Sequence, residues 1–475
     1  MAGFSDDIFF ATLTELNARL RAREFSAAEL ARAFSTRLEQ LGPRYKALAL
    51  PLREDALRKA RDVDGDIKRG RFRGPLQGVP FGAKDLLSLA NKPTTWGAPP
   101  FSSQRFDYDA TVLAKLDDAG ALLIGKLAMV ELAGAGGYRY AAASLTGPGL
   151  NPWDVTRWAG GSSSGSASAV AAGLVPFAIG SETWGSILTP CAYCGVTGLR
   201  PTYGLVSRYG AMPLSWTMDK IGPLCRSAED CGHVLRVISG GDSNDPSSAG
   251  KSFRYTPQFA RKLTDLRVAH APVDLTEWAE PAARPAFLSA MEVIRGSGVQ
   301  LVETQLPDLP YSAVAETIIS AEGSAVFEPL IESGKVGQLA DERQIAGLRA
   351  GLDISASDYL RAMRIRSIVR DELRKLFTRV DVLVSPSVFG VATKIEQPLD
   401  GPSGPSPALK QRGLSDLGAA GNLAGLPALS LPCGFVDGLP IALQLVGRPF
   451  TENNLLALGV EFQKRTDWHR RRPRS

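Results

Sequence analysis

Apolar residues recur at helical spacing through the first 70 residues. Leucines three or four positions apart predict a helix over 12–24. Ser26 and Glu29 then form the S-x-x-E pattern of a capping box, which opens a second amphipathic helix. A third helix is predicted around Arg53 to Val63. Residues 1–70 are therefore predicted to be helical.

After residue 70 the pattern alternates between short apolar runs and helical segments. The run Gln77–Phe81 predicts a strand that ends near Lys84, and open α/β sheets place their sites at strand ends. The next predicted elements are a helix at 110–119, a strand at 122–124 and a helix at 127–132. Such alternation is typical of α/β proteins. The predicted fold class is α/β, with a mixed, mainly parallel central sheet covered by helices on both faces.

The chain lacks long polar linkers, repeats and low-complexity blocks, so its 475 residues are predicted to form a single domain, 1–475. Residues 70–240 supply the core, and 415–465 return to the core sheet with two strands and a helix. The block 250–415 is predicted to be a variable insertion that covers the site and shapes substrate choice. Its predicted helices lie at 281–297, 312–333 and 355–377. The Pro/Gly/Ser-rich stretch 397–415 is typical of a mobile loop.

Composition excludes several classes of protein. With 44% hydrophobic and 22% charged residues, the chain has the composition of an ordinary globular protein. The net charge of +5 is modest, and the basic end from His469 to Arg474 is predicted to be a solvated tail, so no nucleic-acid partner is expected. Residues 1–10 lack the features of a signal peptide, and no apolar run could span a membrane. A cytoplasmic protein without a membrane partner is expected.

The five cysteines predict neither disulfides nor a metal site. Their number is odd, and a chain of this length does not need covalent cross-links. Cys191 and Cys194 have C-x-x-C spacing, but no second pair and no nearby histidine completes a tetrahedral site. We expect reduced thiols and no bound metal.

The stretch Gly160–Pro190 contains the chemistry that organises the rest of the chain. Ser162 and Ser186 lie in glycine-flanked turns, separated by a run of small residues that predicts one helix. Segment 167–177 carries no charge, so it is predicted to be buried, unlike a flexible Ser/Gly linker. Glycines beside buried serines allow backbone N–H groups to point at a reacting carbonyl oxygen.

Three segments together resemble the amidase signature family. Gly78–Asp85 has the form G-V-P-x-x-x-K-[DE], Ser162 follows a glycine pair, and Ser186 lies in G-S-I, 24 positions after Ser162. The stretches Gly195–Gly204 and Gly425–Pro449 are also similar to that family. The resemblance is strong over about 70–240 and 415–460 and very weak over 250–415.

The resemblance implies a mechanism as well as a fold. Lys84, Ser162 and Ser186 would form a Ser-cisSer-Lys triad, in which Ser162 follows a cis peptide bond and Ser186 is the nucleophile. The backbone N–H groups of Thr183, Trp184, Gly185 and Ser186 would form the oxyanion hole. The implied reaction is hydrolysis of a C–N bond through an acyl-enzyme, without a cofactor.

This mechanism requires a neutral lysine. An unperturbed lysine has a pKa of about 10.4, so only a minute fraction is neutral at pH 7. Burial among apolar neighbours such as Val79, Pro80 and Phe81 lowers a lysine pKa. We therefore expect Lys84 to be buried.

Two departures from the family pattern concern the substrate. Trp184 stands where the family usually has a second glycine, and Leu188 stands where it has an arginine after G-S-I. Without that arginine a carboxylate loses a bidentate partner, while the indole offers a flat apolar surface. Trp184 and Leu188 are therefore predicted to bind the substrate, which would be a neutral aryl or hydrophobic amide, anilide or carbamate. Urethanase or esterase activity is part of this prediction.

Two other functions remain open. The first is the glutaminase-type A subunit of a tRNA-dependent amidotransferase, which works with partner chains, whereas the main prediction is a monomer or homodimer acting on a small-molecule amide or carbamate. The second is an α/β-hydrolase esterase, since Gly161–Gly165 matches G-x-S-x-G with Ser163 central. That chemistry needs a histidine base, and the candidates are His233, His270 and His469.

Overall fold

The computed structural model describes residues 4–399 and 413–474. The α-helices within these residues are α1 Leu13–Arg21, α2 Ala27–Leu41, α3 Arg53–Lys68, α4 Thr111–Asp118, α5 Ser164–Ala171, α6 Leu188–Cys194, α7 Ala228–Ile238, α8 Arg284–Gly296, α9 Tyr311–Val326, α10 Glu328–Glu332, α11 Glu342–Gly351, α12 Ala356–Arg379, α13 Leu417–Leu423 and α14 Glu452–Lys464. The strands are β1 Leu48–Pro51, β2 Pro80–Lys84, β3 Leu122–Leu127, β4 Leu150–Asn151, β5 Asp154–Trp158, β6 Phe177–Glu182, β7 Thr197–Arg200, β8 Lys220–Cys225, β9 Arg267–His270, β10 Gln300–Glu303, β11 Val382–Pro386, β12 Ala428–Val436 and β13 Leu439–Gly447.

The predicted N-terminal helices are confirmed, including the cap of α2. Ser26 Oγ accepts from the backbone N–H of Glu29 at 3.1 Å, and the Glu29 carboxylate accepts from the backbone N–H of Ser26 at 2.8 Å. Each bond satisfies a donor that the first helical turn leaves free. Phe34 and its apolar neighbours on α2 are fully buried, so the helix is held by its apolar face.

One eleven-stranded sheet crosses the whole protein, and helices surround it. Its strand order is β1-β3-β2-β6-β8-β7-β12-β13-β11-β9-β10. The predicted mixed α/β fold is confirmed, but the mainly parallel pairing is wrong. Six of the ten neighbouring pairs are antiparallel, and four are parallel.

Short connections explain part of the antiparallel character. Strands β12 and β13 are joined by a tight turn in which Asp437 and Gly438 have φ of 50° and 80°. Positive φ at both turn positions is the geometry of a type I′ hairpin, which pairs its strands antiparallel. The sequence prediction missed this turn because it followed the helix–strand alternation.

Two predicted helices are wrong near the site. The run between the two serines is not one helix but α5 followed by β6, because Gly173 adopts a φ of 65° and Pro176 follows it. The helix predicted at 127–132 is also absent, since β3 extends to Leu127 and a short 3₁₀ turn, Glu131–Gly134, follows.

The block 250–415 belongs to the sheet as well as covering it. Strands β9, β10 and β11 all lie in this block and form one end of the sheet, next to β13. The helix predicted at 312–333 is divided into α9 and α10, with Pro329 in the first turn of α10. Of the stretch 397–415, for which a mobile loop is predicted, residues 400–412 lie outside the described part of the chain.

The basic C-terminal segment is bound to the body of the protein, contrary to the expected solvated tail. Arg226 donates to the carbonyl oxygens of His469 and Arg471 at 3.0 and 3.1 Å, and Arg472 pairs with Asp7 at 2.6 Å. These contacts join residues far apart in sequence, which local charge patterning does not reveal.

Candidate active site

Lys84 lies at the end of β2 and is completely buried. Its Nζ is 2.7 Å from Ser162 Oγ and 2.9 Å from Ser181 Oγ. The structure therefore brings together two of the three residues predicted for the triad. Ser181, on β6, is a second hydroxyl partner that sequence reasoning missed.

Burial lowers the pKa of Lys84 to about 7, although the charges of Asp219 and Glu182 act to raise it. About half of such lysines are neutral at pH 7, compared with a minute fraction of unperturbed ones. A neutral amine next to a hydroxyl can accept its proton, which is the chemistry of a general base.

Ser162 is fixed by its backbone. The Gly161–Ser162 peptide bond is cis, as the family resemblance implies, and the Ser162 carbonyl accepts from the backbone N–H of Val130 at 3.1 Å. A Cβ on Gly161 would come within 2.7 Å of the Trp158 side chain and 2.8 Å of Val130, so only glycine fits before this serine.

Ser186 lies in the turn between β6 and α6 and is buried. The Ser186 carbonyl accepts from the backbone N–H of Ser163 at 3.3 Å, which places the turn against the start of α5. Among the hydrogen bonds of the described residues, none joins the hydroxyls of Ser162 and Ser186. Catalytic hydrogen bonds are often long without substrate and tighten when it binds.

The turn that carries Ser186 offers unpaired backbone donors. Within residues 4–399 and 413–474, no hydrogen-bond acceptor lies against the backbone N–H groups of Thr183, Trp184, Gly185 or Ser186. Gly185 has a φ of 81°, which side chains other than glycine rarely adopt. Free N–H groups beside a serine hydroxyl can stabilise the oxyanion of a tetrahedral intermediate.

Glu182 holds this turn in place, a role that sequence reasoning missed. Its Oε2 accepts from the backbone N–H groups of Ile187 and Leu188 at 2.9 and 3.0 Å. Its Oε1 accepts from Arg200 at 2.7 Å and from Asn422 at 3.1 Å. Burial acts to raise the pKa of Glu182, but Arg200 and other positive charges lower it to about 2. The carboxylate is therefore ionised and anchors the backbone that follows Ser186.

A second buried group supports the other side of the turn. Lys220 donates to the Thr183 carbonyl at 3.3 Å and to Asn422 Oδ1 at 2.6 Å. Thr183 Oγ1 donates to Asp219, whose other carboxylate oxygen accepts from the backbone N–H of Leu214 at 2.8 Å. Burial lowers the pKa of Lys220 well below its usual value. Both ends of the turn are thus tied to buried polar side chains.

Trp184 and Leu188 have different environments. The half-buried Trp184 side chain lines a cleft of about 1270 Å³. Leu188 is 4% exposed and packs in a hydrophobic cluster with residues of α9 and α12, outside that cleft. Its side chain at the start of α6 packs into the core, and contact between Leu188 and a substrate stays a prediction.

The geometry does not support a nucleophile at Ser163. Its side chain is fully buried, and its Oγ donates to the Ser181 carbonyl at 3.2 Å. No hydrogen bond of the described residues joins Ser163 to a histidine. The esterase alternative therefore lacks the Ser–His contact that it requires.

The cysteines and the acidic residues form no metal centre in the described chain. All five cysteines are free and buried. No group of three or more His, Cys, Asp and Glu residues in 4–399 and 413–474 is arranged to hold a metal ion. None of the helices there is long and apolar enough to cross a membrane.

A family model described as Amidase matches residues 29–456. The chain belongs to the amidase family. A curated relative from Chloroflexus aggregans, the A subunit of Glutamyl-tRNA(Gln) amidotransferase, is 37% identical, and the match covers 98% of this chain and 99% of the relative. The family also fixes the coarser activity, hydrolysis of C–N bonds.

Two solved structures have the same architecture. Native peptide amidase from Stenotrophomonas maltophilia is 31% identical, with a TM-score of 0.82 and 98% of each chain covered. A structure described as a vestigial protein complex, which reveals the evolutionary origins of an s-triazine catabolic enzyme, is 28% identical. Its TM-score is 0.87, and the match covers 98% of this chain and all of the other.

Proposed function

We propose that this amidase hydrolyses carboxylic amides through an acyl-enzyme on Ser186. The observation that carries the proposal is the 2.7 Å contact between Ser162 Oγ and the amine of Lys84, which burial makes a base near neutral pH. A serine needs such a base to become a nucleophile, and Ser–Lys pairs are a known alternative to Ser–His pairs.

In the proposed reaction Lys84 takes the Ser162 proton, and Ser162 takes the Ser186 proton. Ser186 Oγ then attacks the carbonyl carbon, and the oxyanion accepts hydrogen bonds from the free N–H groups of residues 183–186. The relay returns a proton to the amide nitrogen, the C–N bond breaks, and the amine leaves. Water, deprotonated by the same relay, attacks the acyl-enzyme and releases the carboxylic acid. No cofactor enters these steps.

The direct test is covalent labelling. A fluorophosphonate probe should add its mass to the peptide that contains Ser186, and Ser186→Ala should abolish the label. Ser163→Ala is the matched control and should label normally, because its hydroxyl is held by the Ser181 carbonyl. Label on the Ser163 residue in the wild-type protein would contradict the mechanism and support the esterase alternative.

We further propose that an aryl or hydrophobic group of the substrate stacks on Trp184. The indole lines the cleft next to the catalytic turn, and an aromatic pair contributes about 0.5–1.5 kcal/mol beyond its buried area. Anilides and N-aryl carbamates should therefore have higher kcat/KM than glutamine or a short dicarboxylic monoamide. In Trp184→Gly this preference should fall several-fold. An unchanged preference would show that Trp184 only fills space.

A second candidate is the glutaminase-type A subunit of a tRNA-dependent amidotransferase. The names of the curated relatives favour this candidate over the stand-alone enzyme. It predicts glutaminase activity and stable association with partner chains, whereas a stand-alone amidase is expected to act as a cytoplasmic monomer or homodimer on a small-molecule substrate. Size-exclusion chromatography of the protein from its native cell extract, combined with a glutaminase assay of each fraction, separates the two.

A further inference from the structure

The cleft at Trp184 is lined by acidic groups, although the whole protein has a net charge of +5. Glu277, Glu280, Glu316 and Asp416 are among its lining residues, and the one cationic residue among those described is Arg284. Arg284 Nε and Nη2 donate to the backbone carbonyls of Ala279 and Glu277 at 2.9 and 3.1 Å, so two of its three nitrogens are bound to backbone oxygens.

A buried acceptor in the same wall has no partner. Gln444 is 4% exposed, and its Nε2 donates to Ser385 Oγ and to the Pro386 carbonyl at 3.1 and 3.2 Å. Because the Pro386 carbonyl can only accept, the amide nitrogen must face it, and Oε1 is the free atom. Gln444 Oε1 and Thr393 Oγ1, both buried and both from cleft-lining residues, lack a hydrogen-bond partner. A buried acceptor without a donor is costly, and a ligand donor would relieve that cost.

Glu280 lines the same cleft as these acceptors. Its backbone N–H donates to the Phe389 carbonyl at 2.8 Å, and a Cβ on Gly390 would lie only 2.0 Å from its carboxyl carbon. Glycine at 390 therefore leaves the space that the carboxylate occupies. Among the described residues, no ion pair neutralises Glu280, Glu277 or Glu316.

Aromatic rings complete the environment. Trp278 and Phe389 line the cleft with their ring centroids 6.3 Å apart, and the backbone of Glu280 is bonded to that of Phe389. Indole and phenyl faces attract organic cations, and carboxylates pair with them. The combination of Glu277, Glu280 and Glu316 with unsatisfied acceptors and aromatic faces fits an organic cation with several N–H donors.

We propose that this cleft binds a primary ammonium or guanidinium group that the substrate carries away from the scissile amide. The inference rests on the proposed amidase function and changes the expected substrate. The part that meets Trp184 is still aryl or hydrophobic, but the part that reaches Glu280 is positively charged rather than neutral.

The test uses three 4-nitroanilides with acyl chains of equal length, hexanoyl, 6-aminohexanoyl and 5-carboxypentanoyl. A hydrogen-bonded charge pair of this kind corresponds to about a tenfold or larger gain in kcat/KM, so the ammonium compound should exceed the neutral one by at least that factor. The carboxylate compound should be the poorest. The other orientation, with the charge on the amine side, is tested by comparing two anilides. These are 4-(aminomethyl)aniline acetylated on its aniline nitrogen, with the aminomethyl group free, and acetylated 4-ethylaniline.

Variants identify the site. Glu280→Gln and Gln444→Leu should each reduce the ratio of ammonium to neutral kcat/KM several-fold. Glu332→Gln is the matched control, since Glu332 is an exposed glutamate on α10 outside the cleft. Equal kcat/KM values for the ammonium and neutral compounds in the wild-type enzyme, in both orientations, would overturn the inference. A ratio of ammonium to neutral kcat/KM that is unchanged in Glu280→Gln would also overturn it.

The two proposals fail in different ways. Labelling of Ser186 and hydrolysis of the hexanoyl anilide test the amidase function without any charged group. Calorimetric titration of Ser186→Ala with 6-aminohexanoyl anilide and with hexanoyl anilide tests the cleft without turnover. Tighter binding of the ammonium compound, lost in Glu280→Gln, supports the cation site, and equal binding of the two compounds contradicts it.

Discussion

Burial makes the Lys84 amine a base, and the surrounding residues hold that amine in one position. The amine has no solvent contact, and its hydroxyl partners Ser162 and Ser181 hold it at the end of β2. Lys84→Met keeps most of the side-chain volume and removes the base. We expect amidase activity to fall by about 10²–10⁴-fold, the usual contribution of a general base, with the far-UV circular dichroism spectrum unchanged.

Ser162→Ala and Ser181→Ala form a matched pair for the same site. Ser162→Ala removes the proton relay and should reduce kcat strongly, whereas Ser181→Ala removes only a bond that orients Lys84 and should reduce kcat less. Full activity in Lys84→Met, or a larger loss in Ser181→Ala than in Ser162→Ala, would contradict the relay.

The pH dependence follows from the Lys84 pKa of about 7, which burial lowers from the usual value of a lysine. Because the amine acts as a base only when it is neutral, kcat/KM should rise with pH through about 7 and level off above about pH 8. A plot of kcat/KM against pH for an uncharged anilide measures this pKa in the free enzyme. A profile that stays flat from about pH 5.5 to about pH 8.5 would contradict the assignment of Lys84 as the base.

At this scale the sequence predicted the residues that lie in short motifs. Lys84, Ser162 and Ser186 each have a local pattern, and the structure brings the first two into contact. Glu182, Lys220 and Asn422 were missed because they lie in no such motif, and Asn422 is 240 positions from its partner Glu182. The burial of Leu188 was not predictable either, because a motif position does not reveal which way its side chain points.

At the scale of elements, the turn between β6 and α6 is rigid because Glu182 binds its far end. Replacement by glutamine keeps the size of the side chain but leaves Arg200 buried without a counter-charge. Breaking a buried ion pair costs roughly 3–5 kcal/mol, so Glu182→Gln should lower the Tm. Because the turn also carries the oxyanion donors, kcat should fall about 10–100-fold with little change in KM.

Glu452→Gln provides the control for that prediction. Glu452 is equally buried and accepts from the backbone N–H and hydroxyl of Thr202 at 2.9 and 2.6 Å, away from the catalytic turn. It should lower the Tm without the selective effect on kcat. Equal effects of the two variants on kcat would show that Glu182 acts only through stability.

Elements were predicted well where apolar periodicity was long, as in α2 and α12. Predictions failed in the small-residue run before Ser186, where alanine, glycine and serine fit either a buried helix or a buried strand. Gly173 and Pro176 mark the boundary between α5 and β6, and their meaning depends on the packing of both elements against the sheet.

At the scale of the whole molecule, one sheet connects the blocks that the sequence distinguishes. Strand β11 from the block 250–415 pairs with β13 from the C-terminal part through Val382–Pro386 and Leu443–Gly447. The division into one domain with an insertion stays a prediction, and the block 250–415 supplies three strands of the sheet besides its helices. A sequence shows strands but not their neighbours, so the shared sheet was not predictable.

This continuity predicts how the protein unfolds. Because the sheet runs through every block, we expect the blocks to melt together in one cooperative transition. Differential scanning calorimetry should give a calorimetric enthalpy close to the van't Hoff enthalpy. Val384→Ala at the β11–β13 boundary should lower the Tm of the whole transition by removing a buried side chain, whereas the exposed Ile368→Ala on α12 should change it little. Two separated transitions, with only one of them shifted in Val384→Ala, would show that residues 250–415 fold as an independent unit.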